Sequence, residues 1–290
     1  MYEKVMVAMR LMGLMVHKPV ECFDRIRAIV EDKLIKPISP NQHQYQHVEW
    51  HQLLNRLSDV YQQDVRKILD EAEYHEAIRH CQSVTTSLDK APPFPLEHNA
   101  DAHLSQLTYL AVRLLKPQNV VEIGVAYGIT STIVLTAMAK NGRGKLSSID
   151  LNPLRKNAQD YIGYLIPERL RSGWQLHRGA SVRVLPKLMK TLPSVDLSIH
   201  DSLLTYRNTS HELSLVSPKL SANSGVIVNG AGESKAFYEW NRTWQPVFSA
   251  CVHAKTKPDL LGIAFLNANS TSQKASQTVE TQLVDNVLMS

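Results

Sequence analysis

Between Asn119 and Gly230, short apolar runs alternate with stretches of helical periodicity, and nothing else in the chain restricts its fold as strongly. The apolar runs are NVVEI, KLSSID, WQLHRG, VDLSIHD and GVIVNG. The intervening patterns predict helices over 130–140, 153–165, 182–189 and 209–220. Strands joined through helices of this length pair in parallel by right-handed crossovers, so the pattern predicts a doubly wound parallel sheet. FSACVHAK and LLGIAFLNA follow closely, with Lys257-Pro258-Asp259 between them, and read as a terminal hairpin that adds an antiparallel strand.

Upstream the texture is helical. Met6, Met9, Met12 and Met15 recur every third residue, and this face is expected to pack on the rest of the chain. With Lys4, Arg10 and Lys18 toward lipid head groups, the same segment would instead lie on a membrane surface. Pro19 suits a first helical turn, and Phe23, Ile26, Val30 and Leu34 mark one face of the helix it opens. Pro37 and Pro40 interrupt the pattern. A second seam runs through Trp50, Leu53, Leu54, Leu57, Val60, Tyr61, Val65, Ile68 and Leu69. Core packing is the first reading of it and a dimerising helix pair the second. His43, His47 and His51 lie four apart, but no Cys or carboxylate completes a metal set, so they read as a solvated face. APPFP, Ala91 to Pro95, forbids helix and reads as a linker. Beyond it, Leu104, Leu107, Leu110, Ala111 and Leu114 predict a helix that stops near Lys116-Pro117. The expected organisation is a helical region over 1–96, an α/β domain over 97–268 and a polar, disordered tail over 269–290.

Of 290 residues, 43% are hydrophobic, enough for a substantial core. The net charge of +5 is mild, and no dense Lys/Arg block gives a nucleic-acid footprint. Cys22, Cys81 and Cys251 are scattered and odd in number, which argues against a disulfide framework and for a reducing, cytoplasmic setting. No apolar stretch is long enough to span a membrane, and Arg10 interrupts the apolar N-terminus, which is not read as a signal peptide.

In an open parallel sheet, ligands bind beyond the carboxyl ends of the strands. The first strand ends in Glu122-Ile123-Gly124-Val125-Ala126-Tyr127-Gly128 and the second on Asp150. Glycines at Gly124 and Gly128 let the backbone turn sharply, and a carboxylate at Asp150 can accept two hydrogen bonds from a ribose diol. The spacing is E-x-G-x-x-x-G and lacks the third glycine of a pyrophosphate-binding fingerprint. A ligand with a ribose and no phosphate fits better, which disfavours a nicotinamide-dependent oxidoreductase.

VEIGVAYGITSTIVLTA followed by GKLSSIDLNP resembles the cofactor-binding half of the class I S-adenosylmethionine-dependent methyltransferases, over roughly residues 101–267. The resemblance implies a Rossmann-like, seven-stranded sheet whose last strand runs antiparallel between the fifth and sixth. It implies S-adenosylmethionine as cofactor, with Gly124, Ala126 and Gly128 along its methionine part and Glu122 in the same region. Asp150 would hold the ribose hydroxyls, and Ser131 and Ser181 would complete the set. VDLSIHDSLLTYRN resembles a branch, many of them small-molecule O-methyltransferases, in which this strand runs into His-Asp-Ser-x-His-x-Tyr. Asp196, His200, Asp201, Ser202 and Tyr206 agree with that branch. Leu204 stands where a second His is expected, Asn223-Ser224-Gly225 keeps one glycine of a pair, and Asn229-Gly230 replaces two acids. Gly179-Ala180-Ser181 lacks an acid that often helps hold the adenine.

These departures lead to an expectation of no metal, because Leu204 offers no ligand and Asn229 no charge to offset a dication. His200 is left as a general base or as a strand cap, and Asp201 as its partner or a cofactor contact. Tyr206 and His211 read as surface residues. The expected function is S-adenosylmethionine-dependent, metal-independent O-methylation of a small molecule or sugar, with the N-terminal helices covering the substrate side or forming a homodimer contact. The alternative is a non-catalytic relative that binds a protein partner through those helices.

Overall fold

The computed structural model describes residues 2–35, 45–88, 92–151, 154 and 157–266. The polar tail over 269–290 and His43 lie outside the described residues, as do the side chains of Lys4 and Met6.

The α/β alternation produces a seven-stranded sheet: β1 (Asn119–Ile123), β2 (Lys145–Asp150), β3 (Trp174–Arg178), β4 (Val195–His200), β5 (Leu220–Val228), β6 (Phe248–His253) and β7 (Leu260–Phe265). Their order is β3-β2-β1-β4-β5-β7-β6. β1 to β5 pair in parallel, whereas β7 runs antiparallel to β5 and β6, as the hairpin predicts. Alternate side chains feed two cores. Val120 of β1 packs with α6 (Ala102–Leu115) and α7 (Ile129–Asn141) on one face. Val121 and Ile123 pack with α8 (Ser181–Thr191) and α9 (Tyr206–Val216) on the other. A final helix, α10 (Ala236–Trp244), covers β5 and β7.

The seam from Leu53 to Leu69 is core packing within one chain. α3 (Trp50–Tyr61), α4 (Arg66–Leu69) and α5 (Ala72–Leu88) bury Leu53, Leu54, Leu57, Val65 and Leu69 in the same cluster as α6, α7 and the sheet. Gln62, in a left-handed conformation, ends α3. His47 lies outside any helix and meets His253 edge-on, so it shares no helix face with His51.

Three expectations are corrected. The first concerns α1 (Tyr2–His17) and α2 (Pro19–Val30), the latter continued by a π-turn to Ile35. Met9, Met12 and Met15 are 57%, 65% and 57% exposed, and Phe23 is 63% exposed, so the apolar faces of both helices point outward. The side that α2 buries carries Cys22, Asp24 and Arg25, followed by Glu31 in the π-turn. Polar contacts hold the hairpin down: Arg183 Nε donates to Asp24 Oδ2 at 2.6 Å, Thr205 donates to Glu31, and Arg10 donates to the Leu154 carbonyl.

The second correction is the helix expected over 153–165. Its described part is a short 3₁₀ turn, Ala158–Tyr161, followed by turns; Asn152, Pro153, Arg155 and Lys156 lie outside the described residues. The backbone of this segment bonds to the β1–α7 bend rather than to itself: Gly163 N–H donates to Ala126 O at 3.1 Å and Leu165 N–H to Tyr127 O at 2.9 Å. Trp174 lies where a Gly163 side chain would stand, so the segment wraps the bend as an irregular strap. The third concerns the stretch expected as a linker, part of which packs into the protein: Phe94 is 1% exposed, its ring stacked on Tyr127 at 3.9 Å. Smaller shifts occur at α9, which starts at Tyr206 because the Thr205 hydroxyl accepts from Asn208 N–H. It ends at Val216 because Leu220 already belongs to β5.

Candidate active site

The carboxyl ends of β1, β2, β3 and β4 open onto a cavity of about 510 Å³. Gly124, Val125 and Ala126 form its floor, Asp150 and Leu151 one side, Gly179, Ala180 and Ser181 the next, and Asp201 to Leu204 the side opposite. Phe94 and His98 come from the segment before α6, and Asp24, Arg27, Ala28 and Asp32 descend from α2 and its π-turn. The hairpin thus turns its polar side to the cavity, which is why its apolar side faces solvent.

Asp150 is built into the bend. Its Oδ2 accepts from Val125 N–H at 2.8 Å and Ala126 N–H at 3.0 Å. Burial raises its pKa, against the lowering effect of those two amides. Ala126 itself has φ +49°, a left-handed conformation rare without glycine. The two glycines serve the protein more directly than a ligand. A Cβ on Gly124 would lie 1.9 Å from the Asp201 carbonyl oxygen, and one on Gly128 2.8 Å from Gly163 Cα.

Glu122 and Ser131 lie beneath the floor, not on it. Glu122 is fully buried; its Oε2 accepts from Ser131 Oγ at 2.7 Å and Ser148 Oγ at 2.6 Å, and Trp174 Nε1 donates to Ser148 Oγ at 2.9 Å. Burial pushes its carboxyl up to about 8. Ser181 reaches the cavity wall at the start of α8.

His200 does not line the cavity. Its Nδ1 lies 2.6 Å from Glu212 Oε2 and its Nε2 3.0 Å from Thr209 Oγ1, so both ring nitrogens are engaged in a buried network. Burial pushes the Glu212 carboxyl up, but the His200 charge and hydrogen bond outweigh it and hold the group below its ordinary range. Glu212 also accepts from Ser202 Oγ and Asn208 Nδ2. The network buttresses the β4 turn from behind. Sequence reasoning missed Glu212 and Asn208, although Thr205, Asn208, Thr209 and Glu212 recur at the spacing of one helix face, a polar face where an apolar one is usual.

Asp201 does face the cavity. Its Oδ1 accepts from Asn229 Nδ2 at 2.6 Å, and burial raises its pKa to about 6. Asp196 lies at the opposite end of the sheet, where it accepts from Gln118 and Asn119 N–H and Ser221 Oγ and ties strand starts together. Tyr206 is exposed and bonds Glu239. Among the described residues, no group of three or more His, Cys, Asp and Glu is placed to hold a metal ion, and no helix is long and apolar enough to cross a membrane.

Residues 121–229, from β1 to the end of β5, match the family model described as a methyltransferase domain. Over this stretch the chain is similar to a methyltransferase domain. All the cavity loops of the sheet lie within that match, and α1 to α6 lie outside it. Solved structures share the fold. The O-methyltransferase of Bacillus cereus, in complex with SAH, superposes with a TM-score of 0.51 at 11% identity, covering 74% of this chain and 97% of that chain. The O-methyltransferase TomG of Streptomyces achromogenes, in complex with SAM, gives 0.50 at 13% identity, with 74% and 96% covered. No curated protein sequence matches the chain.

Proposed function

We propose that this methyltransferase domain binds S-adenosylmethionine in the cavity between β1, β2 and β4 and transfers its methyl group to an oxygen of a small molecule, without a metal. The observation that carries this reading is Asp150, fastened by Oδ2 to the Val125 and Ala126 amides while lining the cavity. That arrangement leaves carboxylate surface for a ribose diol at a fixed height above the bend. The small residues Gly179 and Ala180 leave room for a base, and Phe94 offers an aromatic edge. The two structural relatives with SAH or SAM bound support the cofactor choice.

The cofactor would supply an activated sulfonium methyl group, so the chain's residues need to align, exclude water and manage one proton. Asp201 is the cavity-facing acceptor for the proton of the attacking hydroxyl. Held near 6 by burial, it is largely ionised at neutral pH and still basic enough to act. Asn229 donates an amide hydrogen bond to it, where a second carboxylate would have required a cation between the two. Asp24 and Arg27 of α2 and Asp32 of its π-turn close the cavity over the acceptor. The buried, unpaired cysteines fit a reducing cytoplasm.

Titration calorimetry with S-adenosylhomocysteine tests the reading. Micromolar binding is expected, weakened at least about a hundredfold in Asp150→Ala by loss of the ribose contact and of the bend's anchor. Asp201→Asn is expected to bind as wild type and to lose about 10²-fold or more in turnover. Wild-type protein that ignores millimolar S-adenosylhomocysteine would end the proposal.

We propose further that the outward stripe of Met9, Met12, Val16, Val20 and Phe23 is where a homodimer forms through the N-terminal helices. These apolar side chains, on two successive helices, are each more than half exposed, which a lone soluble chain seldom leaves uncovered. Light scattering should give a dimer for the wild type and a monomer for Phe23→Asp; a monomeric wild type at tens of micromolar removes the idea.

A further inference from the structure

Beside the main cavity lies a smaller recess of about 190 Å³, lined by Arg27, Glu31, Val182, Arg207, Asn208 and His211. Arg27 and Asn208 also line the main cavity, so the two spaces share a wall. Three buried polar atoms at this recess have no hydrogen-bond partner: Arg27 Nε, Glu31 Oε2 and His211 Nε2. Glu31 is 2% exposed. Its other oxygen is taken by the Thr205 hydroxyl, which fixes the carboxylate with Oε2 left over. Asn208 adds nothing to the demand, because its amide already donates to Ser202, Leu203 and Glu212.

A buried donor or acceptor left unpaired is costly, and three in one recess point to a ligand that completes them. The chemistry of that ligand follows from their signs. An anion would satisfy Arg27 and Arg207 but would press against the Glu31 carboxylate. An ammonium group would satisfy Glu31 but would meet two guanidinium groups. A hydroxyl both donates and accepts. A pair of neighbouring hydroxyls can give one proton to Glu31 Oε2, accept one from Arg27 Nε and meet His211 Nε2 in either tautomer.

We propose that this recess is the acceptor's subsite and that it takes a neutral polyhydroxylated ring, a sugar with vicinal hydroxyls. The inference rests on the methyltransferase reading and names the substrate class for it. It also gives the N-terminal hairpin a function. α2 and its π-turn supply Arg27 and Glu31, residues outside the matched domain, and α9, the helix after the turn at Asp201, supplies Arg207 and His211. Specificity would then be set by an element that the α/β domain alone does not contain.

The test is calorimetric titration of the full chain, with and without saturating S-adenosylhomocysteine, against methyl pyranosides of gluco, galacto, manno and rhamno configuration and against inorganic phosphate. Millimolar or tighter binding of at least one pyranoside is expected, with phosphate inert. Glu31→Gln, which keeps an oxygen for Thr205, should weaken pyranoside binding at least tenfold and leave S-adenosylhomocysteine binding unchanged. His211→Phe and Arg207→Met, at less buried positions, carry the same expectation should Glu31→Gln fold poorly. Binding of phosphate alone, pyranoside binding indifferent to all three variants, or no pyranoside binding by the wild type would overturn the assignment. Loss of S-adenosylhomocysteine binding in the wild type would instead strike at the methyltransferase reading, since the unloaded protein can still be titrated with sugar.

Discussion

Gly124→Ala is expected to remove most of the domain's stability, while Gly142→Ala costs only about 1 kcal/mol. Both glycines have positive φ, +93° at Gly124 and +68° at Gly142, so both variants incur left-handed strain of roughly 1–2 kcal/mol at most. They differ in what a Cβ would meet. At Gly142, the C-cap of α7, nothing lies within 4 Å. At Gly124 the Cβ would lie 1.9 Å from the carbonyl oxygen of Asp201. That oxygen belongs to backbone that cannot retreat freely: Asp201 N–H donates to Ile123 O at 2.8 Å, and Gly124 N–H donates to Ile149 O at 2.9 Å. Relief requires β1 and β4 to part at their carboxyl ends, opening the sheet at its centre. A loss of at least about 4 kcal/mol is expected, a size confined to a few mechanisms, of which backbone collision is one. Urea midpoints of the two variants measure the contrast; equal shifts would mean that strain alone, and not contact, fixes the residue at Gly124.

The same glycine shows what a sequence reveals and what it hides. E-x-G-x-x-x-G after an apolar run is legible as a bend over a ligand, because few residues turn a strand so sharply. That Gly124 is demanded by Asp201, 77 positions later and just past the end of a neighbouring strand, is a tertiary fact with no local trace. The sheet was readable because each parallel strand is a short, nearly unbroken apolar run, and the hairpin because two such runs flank Lys257-Pro258-Asp259. Periodicity failed where an amphipathic helix had the choice of two insides. Phe23, Ile26, Val30 and Leu34 correctly mark a face of the α2 segment, but Asp24, Arg25 and Glu31 turn inward instead, where Asp24 pairs with Arg183 and Glu31 with Thr205. The position of His200 at a strand end is legible in the sequence. Its engagement by Glu212 and Thr209 depends on the packing of α9 against β4, which only polar residues at helical spacing foreshadow.

Glu122 gives the second large effect, and it is one of pH. Its carboxyl is pushed from an ordinary 4.5 up to about 8, chiefly by burial, with Asp201 and Asp150 adding repulsion and the Ser131 and Ser148 hydroxyls opposing it. Around neutrality the folded protein therefore holds a proton that the unfolded chain has released. Stability must fall as pH rises from about 4.5 to about 8 and level off above, by on the order of 5 kcal/mol for this one group. Asp201, raised to about 6, acts in the same direction over a lower window, and Asp150 shares its sign. Glu212, held below its ordinary range, acts oppositely at acid pH. These groups are common to wild type and Glu122→Gln, so the difference between their stability curves isolates Glu122. The variant keeps an oxygen for Ser131 and Ser148 and cannot ionise. Near pH 5 it should match the wild type or fall slightly below, since its amide has no acceptor where Glu122 Oε1 has no partner. Above pH 8 it should be the more stable of the two by a few kcal/mol. Urea unfolding from pH 5 to 9 follows both curves, and parallel curves would mean that Glu122 is ionised in the folded protein throughout. A crossing would establish a neutral carboxylic acid beneath the cavity floor, with the Trp174–Ser148–Glu122–Ser131 chain binding β3, β2, β1 and α7 into the rigid base that Asp150 and the bend stand on.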